Sequence, residues 1–114
     1  MTASADRPTP DRVSLDVSIR LANLSLKPVN AKWKGEIDVL LSQRNETGDV
    51  FDRVNDTIQM DLSDATYRRF QETGVPYRKT LALDPKATLI RVVVRDPSNG
   101  NLGSLTIPVD QIRY

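Results

Sequence analysis

VSLDVSIRL, residues 13–21, decides the fold. Val13, Leu15, Val17, Ile19 and Leu21 alternate with Ser14, Asp16, Ser18 and Arg20. Successive side chains of an extended chain point to opposite faces, so this strict period of two specifies a strand with one buried and one wet face. The same period recurs downstream. In GEIDVLLSQR (35–44), Ile37, Val39 and Leu41 face inward; in the return stretch, roughly 50–62, Val54, Ile58, Met60 and Leu62 do so, with Thr57, Gln59 and Asp61 outside. VPYRKTLAL (75–83) carries Leu81 and Leu83 in phase with Val75 and Tyr77. TLIRVVVRD (88–96) has Ile90, Val92 and Val94 on one face and Val93 on the other, the pattern of a central strand. SLTIPV (104–109) ends the series, and Pro108, which cannot donate to a ladder, places it at an edge.

One segment breaks the period. SDATYRRFQETG predicts a short helix over about 63–73, with Ser63 as N-cap, Leu62 and Tyr67 at the spacing of a hydrophobic staple, and Gly74 as terminator. NLSLKPVNAKW (23–33) is expected to be a connection, although Leu24 and Leu26 could extend an edge. NETGD (45–49) is expected to close a hairpin. Six or seven closely spaced strands with one helix leave no room for parallel crossovers. The expected fold is an antiparallel, immunoglobulin-like β-sandwich, mainly β. Residues 1–11, with Pro8 and Pro10, are expected to be a flexible linker ahead of a single domain over 12–114.

Composition narrows the chemistry. The chain has no Cys and no His, so Ser–His and Cys–His machinery and thiolate metal sites are excluded. Sixteen basic and fifteen acidic residues give a net charge of +1, with signs alternating along the chain, so nucleic acid is not an expected partner. No apolar run approaches the roughly 20 residues of a membrane helix, and MTASADRPTP has no apolar export core; neither cofactor nor membrane insertion is expected.

Several clusters invite a functional reading. DPSNGNLG (96–103) has the residue types of a calcium or phosphate loop. Counting from Asp96, however, puts Gly100 and Asn101 at the fifth and sixth positions and Ile107 at the twelfth, which is not an EF-hand. A P-loop would need a Lys before a helix, and here a strand follows. Asn99-Gly100 between apolar runs is a hairpin turn instead. In DVSIR, Asp16 and Ser18 fit an Asp-x-Ser-x-Ser metal motif but Arg20 does not, and all three lie mid-strand. Asp49, Asp52 and Asp56 are expected at a solvated hairpin tip. No pair of carboxylates stands out for glycoside hydrolysis. Trp33, Tyr67, Tyr77 and Tyr114 are the aromatics a carbohydrate-binding module would use, although Trp33 is expected to cover one end of the sandwich. Arg91, Arg95 and Asp96 are expected to form a surface ion-pair ladder, structural in role. Asn23, Asn45 and Asn55 head Asn-x-Ser/Thr triplets.

The last third carries a resemblance. LALDPKATLIRVVVRDPSNGNLGSLTIPV has Leu81, Leu83, Pro85, Ile90, Arg91, Val92, Val94, Arg95, Asp96, Gly100, Gly103, Ser104 and Pro108 in a spacing that resembles the C-terminal end of bacterial, acidobacterial-type VWFA-related proteins. WKGEIDVLLSQRNETGDV is similar to the strand and hairpin before it, so the likeness spans roughly 12–112. The resemblance implies an accessory, non-enzymatic module of a secreted or cell-surface protein, binding a protein partner or the rest of its own longer chain. A carbohydrate-binding β-sandwich module is the alternative.

Overall fold

The computed structural model describes residues 1–21, 24–100 and 102–112. Two antiparallel sheets face each other. The smaller holds β1 (Thr2–Thr9), β2 (Arg12–Ile19) and β6 (Val75–Ala82), in the order β1-β2-β6. The larger is built on β4 (Lys32–Arg44). β5 (Val50–Ser63) pairs with one side of β4, and β3 (Lys27–Val29) and β7 (Leu89–Arg95) pair with opposite ends of it, with β8 (Leu102–Pro108) beyond β7. This is the immunoglobulin-like β-sandwich with one helix, α1 (Asp64–Thr73), carrying the chain from β5 back to β6.

The inward residues are those the period-two pattern selects. Val13, Leu15, Ile37, Val39, Ile90 and Val92 are fully buried between the sheets. Each buried aliphatic side chain of this size contributes about 1.5–3 kcal/mol relative to exposure, which makes this layer the main source of stability.

The first residues correct the expectation of a linker. Residues 2–9 form β1, whose Thr2–Asp6 pair in register with Ser14–Ser18 of β2. Ala3 and Ala5 point inward and pack against the core, alternating with Thr2, Ser4 and Asp6. Alanine is too weakly apolar for its alternation to stand out in a sequence, yet next to β2 it is enough. Pro8 lies in the break of register between Asp6 and Thr9, where no ladder donor is required.

β3 is the second strand beyond the six. It makes a tight hairpin with β4 through Asn30 and Ala31, both in the left-handed region at φ 51° and 64°. A two-residue turn of this hand matches the twist of the flanking strands.

The helix follows its caps. The Ser63 hydroxyl accepts from the Thr66 N–H at 3.2 Å, and the Gly74 N–H donates to the Phe70 carbonyl at 2.8 Å. Gly74 has φ 80°, and a Cβ there would sit 2.2 Å from Ser18 Oγ, so only glycine fits.

The body measures 48 × 26 × 17 Å. Met1 lies at one end of the β7–β8 ladder, beside Ile19, Val94, Leu102 and Gly103. The last described residues lie at the other, where a single 3-10 turn, Val109–Gln111, begins with the Val109 N–H bonded to the Thr88 carbonyl at 2.9 Å.

Candidate interaction surface

The loop after β7 is a turn, as its Asn-Gly signal implies. Gly100 has φ 73° and its N–H donates to the Asp96 carbonyl at 2.8 Å. Asn101 falls outside the described residues, as do Asn23 and Tyr114. Asp96 is not part of a surface ladder. It is 3% exposed; one carboxylate oxygen accepts from the Ser98 N–H (2.9 Å) and hydroxyl (2.6 Å), and the other from the Ser25 N–H (2.6 Å). Burial acts to raise its pKa, but the Ser98 hydroxyl and the Ser25, Ser98 and Asn99 N–H groups outweigh it, and the carboxyl stays below its ordinary value. The acid therefore ties the turn to the segment before β3. It forms one wall of a cavity of about 300 Å³ also lined by Ile19, Leu24, Val94 and Leu102.

The three aspartates of the first hairpin do not converge. Asp49 accepts from Asn45 and Thr47 inside the loop, and Asp52 from the Arg53 N–H. Asp56 is on the inward side of β5, in phase with Val54 and Ile58. There it accepts a short hydrogen bond from the Tyr77 hydroxyl of β6 and lies 3.4 Å from Lys79 Nζ. The Tyr77 bond, assisted by Lys79, holds the Asp56 carboxyl below its ordinary value against burial. Burial first, and the Asp56 carboxylate second, push the Tyr77 hydroxyl well above the tyrosine range. The phenol therefore stays un-ionised near neutral pH and serves as a hydrogen-bond donor. The trio joins β5 to β6, edge strands of opposite sheets.

Gln43 does the same at another border. It is 2% exposed, donates to the Ala82 carbonyl and accepts from the Asp84 N–H, both at 2.8 Å, so one side-chain amide bridges β4 to the end of β6. Asp16 and Ser18 of DVSIR lie on the outer face of the smaller sheet, Asp16 paired with Arg78 at 3.3 Å and Ser18 donating to the Thr73 carbonyl. Trp33 and Tyr67 stack face to face, ring centres 4.0 Å apart and 8° from parallel. One face of each ring thus covers the other, and the pair docks the helix onto the end of β4.

What remains is the outer face of the larger sheet, which sequence reasoning missed. In-register pairing assembles it from five strands. Its central row runs Asn55, Leu40, Val93, Ser104; on one side lies Arg53, Ser42, Arg91, Thr106, and on the other Thr57, Asp38, Arg95, Leu102. Val29, Leu40 and Leu102 are the exposed large hydrophobics among the described residues, at 42%, 41% and 68%, and all three are on this face. Lys27, Lys32, Lys34, Arg44, Arg53, Arg91 and Arg95 stand on it against only Glu36, Asp38 and Asp61. The face is thus far more basic than the whole chain, whose net charge is +1. Among the described residues Arg53, Arg91 and Arg95 are in no ion pair; Asp38, the register partner of Arg95, accepts from the Thr57 hydroxyl instead. The outer face of the smaller sheet is its opposite: Ser4, Ser14, Ser18 and Thr80, with Asp6 and Asp16 balanced by Arg12 and Arg78.

No protein-family model, curated protein or solved structure matches the chain. Among the described residues no helix is long and apolar enough to cross a membrane.

Proposed function

We propose that the chain is a non-catalytic module that acts through protein contact, an accessory β-sandwich of an exported bacterial protein of the VWFA-related kind. The observation that carries this reading is the outer face of the larger sheet, where Leu40, Val93 and Leu102 lie among arginines. Arginine around a desolvatable apolar centre is the composition of protein interfaces, whereas isolated surface leucines would scatter over both faces. The family part rests on the residue string alone. Within that string Asp96 and Gly100 build the turn, while Arg91 and Arg95 stand on the face and are in no ion pair among the described residues.

A photo-crosslinking residue placed at Leu40, with a second at Ser4 on the smaller sheet as control, tests the reading in the source cell. Covalent adducts to another polypeptide, or to a neighbouring part of the same chain, are expected from position 40 and not from position 4. Equal yields from both positions, or no adduct from position 40, would overturn it.

A further inference from the structure

We infer that the outer face of the larger sheet takes an extended acidic segment of a partner protein, with an apolar residue set between two carboxylates. The inference rests on reading that face as a contact surface. It adds the chemistry and shape of what binds.

Charge gives the sign. Arg53, Arg91 and Arg95 carry guanidinium groups that no carboxylate of the described chain neutralises, and a guanidinium fork matches a carboxylate with two parallel hydrogen bonds. The apolar centre gives the class. Leu40 and Val93 are neighbours across β4 and β7, and Leu102 extends the patch toward β8. A sulfated glycan or a nucleic acid would neutralise the arginines but leave these aliphatic groups without an apolar partner. Nucleic-acid surfaces offer bases aromatic rings to stack on, and the centre here is aliphatic. An acidic polypeptide satisfies both parts.

Spacing gives the conformation. Arg91, Val93 and Arg95 alternate along one face of β7, so the two arginines stand about 13 Å apart with the valine midway. An extended segment of the pattern acid-x-apolar-x-acid has the same repeat and presents its three side chains on one side. A helix would bring acids four residues apart to only about 6 Å. Ser42, Ser104 and Thr106 lie in the adjacent rows and supply hydroxyls to the rim.

The test is a selection of random 12-residue peptides displayed on phage against the purified chain, followed by titration of synthetic versions of the recovered peptides. The expected peptides carry Asp or Glu on both sides of an apolar residue at alternate positions. Their Kd is expected to rise at least tenfold with Arg91→Glu and Arg95→Glu combined, and also with added salt, while the thermal transition is preserved. Arg91→Gln with Arg95→Gln serves if the charge reversal disturbs folding. Recovered peptides without acidic enrichment that are still lost with Leu40→Asp would overturn the acidic class and leave the contact surface standing. Peptides indifferent to Leu40→Asp and to the arginine changes would overturn both. Binding of heparin through Arg91 and Arg95, with no peptide recovered, would overturn the choice of a protein partner.

Discussion

Asp56 shows how one residue can be placed by its neighbours on another strand. In sequence it belongs to a run of aspartates near a turn; in the fold it points into the sandwich and meets Tyr77 and Lys79. Tyr77→Phe removes the hydroxyl and leaves the carboxylate with Lys79 alone. The expected cost at pH 7 is about 1 kcal/mol, the partial exposure of the site bringing it below the roughly 1.5–3 kcal/mol of a hydrogen bond to a buried charged group. The pH dependence has a definite sign. The folded pKa of Asp56 is depressed, so its stabilisation is present above the unfolded value of about 3.9 and is lost as pH falls through the folded one. That of Tyr77 is raised, so its share is full below about pH 10 and is lost only as pH rises through the folded value. Thermal melts of the native and Tyr77→Phe proteins are therefore expected to differ most between about pH 4 and 10 and to converge in acid. A gap that does not change with pH would show that Tyr77 acts by packing alone. Asp96 carries a related lesson, because its ligands Ser25 and Ser98 include one 71 residues away in sequence, a partner no local pattern announces.

At the scale of elements, legibility followed the strength of the local signal. The β2 alternation, the Ser63 and Gly74 caps of α1, and the Asn99-Gly100 turn were all legible because each is a contiguous pattern with its own physical cause. β1 was not, since its inward residues are alanines and its prolines suggest a linker. The β3–β4 turn was hidden for a different reason: Ala31 holds φ 64°, a conformation that the sequence pair Asn-Ala does not advertise. That position carries a left-handed cost of about 1–2 kcal/mol for a residue with a Cβ, partly offset by the extra chain entropy of glycine when unfolded. Ala31→Gly is therefore expected to stabilise by about 0.5–1 kcal/mol. Differential scanning calorimetry should read this as a Tm higher by a few degrees, and an unchanged or lower Tm would show that the turn is relaxed as it stands.

For the whole molecule, the core could be listed from the sequence, but its polar borders and its outer surface could not. Gln43 sits in phase with Ile37, Val39 and Leu41, so its burial follows from the pattern, but its two partners lie at the end of β6 in the opposite sheet and in the loop just after it. The basic face is more hidden still. Arg53, Leu40, Arg91 and Leu102 come from four strands, and only the pairing register makes them neighbours. Chain-wide charge averages this away.

One consequence concerns tension. Met1 sits beside Gly103 and the described residues end beyond Thr88, at opposite ends of the β7–β8 ladder. A pull between those ends runs along the strands, so β1 is drawn lengthwise past β2 and its ladder of hydrogen bonds is loaded all at once instead of being peeled one bond at a time. Single-molecule stretching is expected to show one sharp rupture followed by full extension. A gradual early lengthening as β1 and its turn peel away would contradict it. Built this way, the sandwich is expected to resist a lengthwise load until β1 ruptures, with the pairing of the basic face undisturbed up to that point.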